Sequence, residues 1–381
     1  MKNLSDFNFK DRRVLLRVDI NSEVINGKIF MNERIKQAAI SIKKLLKEKA
    51  KVVVIAHQGN PGKKDFINLK QHYKLLKKLV KIKFVEDIIG KKSIEKISQL
   101  KSGSALLLDN IRFIEDEFHP EKPDNILIKT LTPLFDYYVN DAFSVCHRNH
   151  TSIVSFPKHL KSCAGLFLEK ELKALKKISI ENCLYILGGA KPEENIKLLN
   201  SKKVLACGLF GQLCLVASGK NLGYQNDFLR KSTLINEDYD KFLEKLKNKI
   251  SNVEMPLDFA VEKNGKREEY SLDEFPLPYE IQDIGEKTIK KFKKIIKNSP
   301  AIYMKGPAGN TEKKIYMKGT IELLKAISKS KGFSLIGGGH LSKVISESKI
   351  PVKKFGHVSL AGGALLNYIA GEKLIGLEVL N

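Results

Sequence analysis

Eight arginines stand against 59 lysines among the 67 basic residues of this chain. Four of the eight, Arg17, Arg34, Arg112 and Arg148, lie in its first half beside Asn, Asp, His or Gly. Lysine is a compact, mobile point charge. Arginine is a planar fork that grips phosphate or carboxylate through two parallel hydrogen bonds. A chain that uses Lys almost everywhere and keeps Arg here points to a shaped site for a small, multiply charged anion. Other polar residues gather at comparable places: Asp19 and Asn21; His57, Gly59 and Asn60; Asn110 before Arg112; and Asn140, Asp141, His147 and His150 around Arg148. Any one of them is more often a cap or turn residue. Their convergence, arginines included, argues for a binding surface. His147-x-x-His150 has the look of half a metal site but no third ligand, so a substrate-facing or turn histidine is the better reading.

The second half carries glycine instead. Leu187-Gly-Gly-Ala-Lys191, Lys305-Gly-Pro-Ala-Gly309, Ile336-Gly-Gly-Gly-His340 and Leu360-Ala-Gly-Gly-Ala364 recur after or near apolar runs. Glycine lets backbone N–H groups approach phosphate oxygens, and helix N-termini favour anions. One such pair is as readily a tight turn; four favour a nucleotide. There is no G-x-x-x-x-G-K-S/T and no G-x-G-x-x-G after a strand, so neither a P-loop enzyme nor a typical dehydrogenase is supported. Arginines in one half and glycine loops in the other suggest phosphoryl transfer across a cleft.

These residues need a frame. Near-continuous apolar runs (Val14–Val18, Val52–Ala56, Ile82–Val85, Ala105–Leu108, Tyr137–Val139, Leu184–Leu187, Val204–Ala206, Ala301–Met304, Phe333–Ile336) alternate with amphipathic stretches such as Arg34–Glu48. That pattern predicts parallel sheets covered on both faces. The expected class is α/β: two doubly wound, Rossmann-like parallel-sheet domains in tandem. Ligands then sit beyond the carboxyl ends of the strands, where the polar residues and glycines fall. The junction is expected near Cys163–Leu175, whose helical spacing predicts a connecting helix and a hinged cleft.

Composition narrows the function class. Hydrophobic content of 43% suits a soluble globular protein, and no apolar run approaches the roughly 18 residues that span a bilayer. The first residues read as neither a signal nor a transit peptide, so a cytoplasmic protein with no membrane partner is expected. Net charge is +24, but the lysines are spread along helical faces, as in Ile42–Lys49 and Ile289–Lys297, without zinc-finger or aromatic-glycine RNA-binding motifs. No nucleic-acid partner is expected. Five scattered cysteines with no C-x-x-C pair read as reduced, buried small hydrophobes.

Along essentially its whole length the chain resembles the phosphoglycerate kinases. Arg17-Val-Asp-Ile-Asn21 is similar to the family's RVDFN, Ala56-His-Gln-Gly-Asn-Pro61 to SHxGRP, and Leu107-Leu-Asp-Asn-Ile-Arg-Phe113 to LLENxRF. Tyr138-Val-Asn-Asp-Ala-Phe143 with His147-Arg148 is similar to YVNDAF…HR, Leu187–Lys191 to LGGAK, and Gly306–Gly309 to GPxG. His340 after three glycines, where most members have GGGD, resembles the archaeal branch, as do His57-Gln-Gly and Gly362–Leu366.

The resemblance implies reversible phosphoryl transfer between 1,3-bisphosphoglycerate with ADP and 3-phosphoglycerate with ATP, in glycolysis and gluconeogenesis, using Mg²⁺. It implies a phosphoglycerate domain of residues 1–165 completed by about 366–381, and a nucleotide domain of 166–365. Asp19, Ile20, Asn21, Arg34, His57, Gln58, Gly59, Asn60, Arg112 and Arg148 would form the phosphoglycerate site, with Arg17 lining the basic patch. Arg34 and Lys191 would be catalytic, countering charge on the transferring group from either side. Gly189, Lys191, Glu312, Gly337, Gly338, Gly339 and His340 would bind the nucleotide, and Glu194 would take the Mg²⁺-contacting place. The motifs do not specify an oligomeric state. Departures from the family pattern are Asn60 for an arginine, Pro192 for a small apolar residue, Glu194 for Asp, Asn195 for a lysine that many members carry, Asn310-Thr311 for an apolar pair before Glu312, and Leu360-Ala361 for a Thr-Gly pair. They leave an alternative, a relative that binds nucleotide or phosphoglycerate without efficient turnover. Asn60→Arg is expected to tighten phosphoglycerate binding by one charge-assisted hydrogen bond, about 1.5–3 kcal/mol.

Overall fold

The computed structural model describes residues 1–178, 182–199, 203–232, 235 and 237–380. The chain divides into two compact units, Met1–Lys173 with Gly371–Asn381, and Ala174–Ala370; Asn381 itself lies outside the described residues. The boundary falls inside the helix Leu166–Lys177, the segment whose spacing predicted a connecting helix.

In the first unit the strands are β1 (Arg13–Val18), a short hairpin β2 (Val24–Ile25) and β3 (Lys28–Ile29), β4 (Lys51–Ile55), β5 (Lys83–Phe84), β6 (Ser104–Leu107), β7 (Tyr137–Asp141) and β8 (Lys161–Ala164). Among the described residues they give a six-stranded sheet in the order β5-β6-β4-β1-β7-β8, parallel throughout. β1 reads Arg-Val-Leu-Leu-Arg-Val and is buried on both faces, which only a sheet covered on both sides allows. Val14, Leu16 and Val18 pack with Ile35, Ala38 and Ile42 of the helix Glu33–Lys47. The chain leaves β1 toward β4 on one side and meets β7 on the other. The end of β1 is therefore the point where strand order reverses, the place at which open α/β sheets bind ligands.

The second unit repeats the plan with β9 (Cys183–Leu187), β10 (Val204–Ala206), β11 (Val253–Glu254), β12 (Asp258–Lys263), β13 (Lys266–Ser271), β14 (Ile281–Ile284), β15 (Ala301–Lys305), β16 (Phe333–Gly337) and β17 (His357–Ser359). Its parallel sheet runs β11-β10-β9-β15-β16-β17, with order reversing between β9 and β15. Lys305, last in β15, pairs in register with Leu187, last in β9. A three-stranded antiparallel sheet, β13-β12-β14, is an addition to the doubly wound plan that the apolar runs did not announce. All five cysteines are buried. Among the described residues no helix is long and apolar enough to cross a membrane.

Candidate active site

In the first unit the loops after β1, β4, β6 and β7 are tied together by side chains. Asn21 accepts from the Gly59 N–H at 2.9 Å. Asn110 donates to the Gln58 carbonyl at 2.8 Å. Gln58 is consumed by this scaffold: its Oε1 accepts from Ser22 N at 2.8 Å, and its Nε2 donates to the Ser22 and Asp65 carbonyls. Gly59 has φ +65°, and a Cβ there would lie 2.4 Å from the Asp65 carbonyl oxygen, so the turn requires glycine.

Arg34 enters from the first turn of the helix Glu33–Lys47, which Asn32 caps by accepting from Ile35 N at 3.2 Å. A cation at a helix N-terminus opposes the macrodipole. Asp19 offsets this by pairing with Arg34 while also accepting from the Ser144 hydroxyl. Burial opposes ionisation of Asp19, but Arg34, then His57 and Ser144, outweigh it and hold its carboxyl far below the usual range. The Asp19–Arg34 pair is thus fixed as an ion pair at the switch point, with Arg34 only partly buried.

His57 sits on Arg17. Arg17 Nη2 lies 3.1 Å from His57 Nδ1. A guanidinium can only donate, so Nδ1 is the acceptor and the imidazole proton stands on Nε2. Burial, then Arg17 and Arg112, lower the His57 pKa well below its ordinary value. Arg17 itself is fully buried. Its Nε donates to Ser152 Oγ at 3.0 Å and its Nη1 to the Val18 carbonyl at 2.6 Å. The buried Glu117 carboxylate accepts from Ser152 N and Oγ at 2.8 and 2.6 Å, giving Arg17 a counter-charge through one hydroxyl.

Arg112 donates through Nη1 to the Gly59 carbonyl at 2.6 Å and to Asn60 Oδ1 at 2.8 Å, and its buried Nε has no hydrogen-bond partner among the described residues. Burial, and next Arg17, lower its pKa to about 10, so it stays cationic at neutral pH. Arg148 is exposed. Arg17, Ile20 and Gln58 are fully buried and their side chains support the surface from beneath, because sheet and loop contacts already consume them. Asp141 accepts from Phe167 N and Leu168 N, the start of the helix Leu166–Lys177. No group of three or more His, Cys, Asp or Glu side chains that could hold a metal ion occurs among the described residues. His150 sits edge-on to Phe118 with centroids 5.2 Å apart.

In the second unit the glycine loops follow the ends of β9, β15, β16 and β17. They interlock by backbone: Gly188 N donates to the Lys305 carbonyl at 2.7 Å, Gly189 N to Pro307 at 2.9 Å, and Gly208 N to Ala308 at 3.1 Å. A Cβ on Gly306 would meet the Gly188 carbonyl oxygen at 2.3 Å. A cavity of about 330 Å³ opens over these loops, lined by Gly189, Leu209, Phe228, Ile281, Pro307, Glu312 and His340 among others. Apolar walls beside glycine backbone and two exposed carboxylates, Glu280 and Glu312, suit a nucleobase and ribose. Gly337 ends β16 and Gly338, with φ +109°, caps the nine-residue helix Gly339–Glu347. The unpaired N–H groups of its first turn favour an anion there.

Pro192 occupies the first position of the short helix Pro192–Asn195, where a missing N–H costs nothing. That turn delivers Glu194, whose Oε1 lies 3.2 Å from Lys191 Nζ and whose Oε2 lies 2.8 Å from Lys305 Nζ. Burial opposes its ionisation, but Lys305 and then Lys191 hold its pKa below the ordinary value. Asn195 donates to the Gly188 carbonyl at 3.0 Å and accepts from Lys305 at 3.0 Å. Asn310 clamps its loop to β14 through two hydrogen bonds to Gln282. Lys305 was read in the sequence only as the flank of a glycine loop.

A family model described as phosphoglycerate kinase matches residues 4–372. The phosphoglycerate kinase of Methanopyrus kandleri is 36% identical over 398 aligned residues, covering 99% of this chain and 96% of that protein. That of Methanobacterium bryantii is 39% identical over 401, again covering 99% and 96%. The crystal structure of phosphoglycerate kinase from Pyrococcus horikoshii OT3 superposes with a TM-score of 0.90 at 34% identity, covering 100% of this chain and 98% of that one.

Proposed function

The chain belongs to the phosphoglycerate kinase family, and from that premise we propose how its residues divide the work. The reaction is reversible phosphoryl transfer between ATP and the carboxylate of 3-phosphoglycerate. We assign phosphoglycerate to the first unit and nucleotide to the second. What supports this most is placement: arginines with a neutral histidine stand at the switch point of one sheet, and glycine loops with lysines at that of the other.

On this reading Arg112, Arg148 and the Nε2–H of His57 bind the phosphate of the acceptor. Asn21 and Asp19 shape the loop beneath it, and Arg34 orients the reacting carboxylate. Arg34 and Lys191 counter the charge that spreads over the transferring group. Such catalysis is positioning plus electrostatics, with little covalent work for the protein. Glu312 takes the ribose hydroxyls, and the Gly337–His340 turn takes phosphate oxygens.

Mg²⁺ fits this donor set in a limited way. It prefers substrate phosphates, water and one or two carboxylates to an all-protein cage, and Glu194 is an ionised carboxylate beside Lys191. Glu194 would hold the ion, which when bound neutralises phosphate charge. The reading places the enzyme in the cytoplasm.

A relative without turnover has no support. Asn60, Pro192, Glu194 and Asn195 each have a defined structural role, and none removes a group that the assignment needs. The test is a coupled assay with ATP, Mg²⁺ and 3-phosphoglycerate. Turnover in the parent that collapses in Arg34→Ala and Lys191→Ala is expected; no turnover at high protein and saturating substrates would sink the assignment.

A further inference from the structure

Of the 59 lysines in this chain, Lys305 is the one that is buried among the described residues. Taking an ammonium out of water is costly unless it is paired, and a chain with this much exposed lysine had no need to bury one for solubility. Lys305 stands at the end of β15, in register with Leu187, one residue before the Gly188–Gly189 turn. Its ammonium makes two contacts, 2.8 Å to Glu194 Oε2 and 3.0 Å to Asn195 Oδ1. The other oxygen of Glu194 meets Lys191 at the longer distance of 3.2 Å, and Lys191 is 71% exposed against 10% for Lys305. One carboxylate is therefore shared unequally between a buried lysine that holds it and an exposed lysine that touches it.

We propose that Lys305 is a positioning residue of the nucleotide half-site: it occupies Glu194 so that Lys191 remains available to phosphate, and it braces the Gly188 turn through Asn195. The proposal rests on the nucleotide assignment of the second unit and deepens it. Without Lys305, Glu194 has Lys191 as its remaining cation at this turn. The two would close into a tighter pair, and a phosphate arriving at Lys191 would have to displace a carboxylate. Asn195 would lose the donor to its Oδ1 and hold the Gly188 carbonyl from a looser side chain.

The experiment is a calorimetric titration with ADP in the absence of divalent metal, on the full chain, beside steady-state kinetics. Lys305→Met should weaken ADP binding at least tenfold and raise the KM for ATP, while the KM for 3-phosphoglycerate stays within twofold. Its melting temperature should fall, because removing one partner of a buried ion pair leaves the other without its counter-charge, so binding is measured well below that temperature. Lys305→Arg, which keeps the charge, should recover most of the affinity. The decisive variant is Glu194→Gln in the Lys305→Met background. With the competing charge gone, Lys191 is released and ADP affinity should return toward the parent. Parent-like ADP binding by Lys305→Met, or no recovery in the double variant, would overturn the proposal. Should Lys305→Met fail to fold, Glu194→Gln alone carries the test: it should bind metal-free ADP more tightly than the parent, and weaker binding overturns the proposal. If this pattern holds while the parent turns over no 3-phosphoglycerate, the kinase assignment fails and this one stands.

Discussion

The side-chain oxygen of Asn60 accepts a hydrogen bond from Nη1 of Arg112 at 2.8 Å. The position that the family pattern fills with an arginine is here a holder of one. Asn60 and the Gly59 carbonyl together fix the Arg112 fork. This reverses the expectation drawn from the motif alone. In Asn60→Arg the acceptor is lost and a second guanidinium is set against the first, so 3-phosphoglycerate binding should fail to tighten. Asn60→Ala should raise the Kd by roughly 3- to 10-fold, the equivalent of about one net hydrogen bond. Isothermal titration with 3-phosphoglycerate reads both, and a tighter Asn60→Arg would show that the two arginines coexist.

Arg34 is placed for function at a cost to its helix. Its charge opposes the dipole of Glu33–Lys47 and is balanced by Asp19. Arg34→Lys keeps a charge but not the fork, and kcat should fall by about 10²-fold, the scale on which one aimed donor acts in a transition state. Loss in KM alone, with kcat intact, would assign Arg34 to ground-state binding instead.

Glu117 tests the layer beneath the site. It is fully buried and bonded to Ser152; burial raises its pKa, while Arg17, Ser152 and Arg112 favour its carboxylate. Glu117→Gln should cost about 3 kcal/mol of stability, as expected when buried cations lose their counter-charge. The local field becomes more positive, so the affinity for 3-phosphoglycerate should not fall. Denaturant unfolding and titration give the two readings separately, and an unchanged unfolding midpoint would remove Glu117 from this role.

Asp141 gives a pH signature. Burial raises its pKa to about 6 against an ordinary 3.8, with Ser41 and the N–H groups of Leu168 and Phe167 opposing. The folded state holds this proton more tightly than the unfolded chain does. Its favourable contribution is therefore complete below about pH 4 and is lost as pH rises through about 6. Asp141→Asn does not titrate, so the stability of the variant relative to the parent should grow from pH 4 to pH 7. The gap between the two pKa values corresponds to about 3 kcal/mol. Urea midpoints for both proteins across that range check it; a flat difference would refute the assignment.

Much of this frame is legible in the residues. The apolar runs match strands to within a residue or two at either end because strands buried on both faces leave little room for polar positions. The antiparallel sheet escaped because β13 reads Lys-Arg-Glu-Glu-Tyr-Ser and is nowhere fully buried. The turn that makes it, Asn264-Gly265, has positive φ at both residues, and that dipeptide is a hairpin signal. At the site, residue type marked the arginines but not their depth. Arg17 and Arg112 carry the same fork, and only the packing of Ser152 and Glu117 shows that Arg17 lies below. Lys305 gave no contrast as one lysine among many, since burial is a property of β15 and its neighbours. The Asn60–Arg112 contact spans 52 positions, beyond the reach of local pattern.

The first unit is closed by residues that come from its far end. Gly376 donates to the Cys146 carbonyl at 2.8 Å, and Ile375 and Val379 pack on Val145 and Ile153. A ribosome therefore delivers every residue of the second unit before the first has its full complement. The second unit can be complete while the first still waits, with Ile153 uncovered, for residues 371–380. The order of completion is the reverse of the order in which the units begin, and a chain truncated after Ala370 should resist protease better in its second unit than in its first.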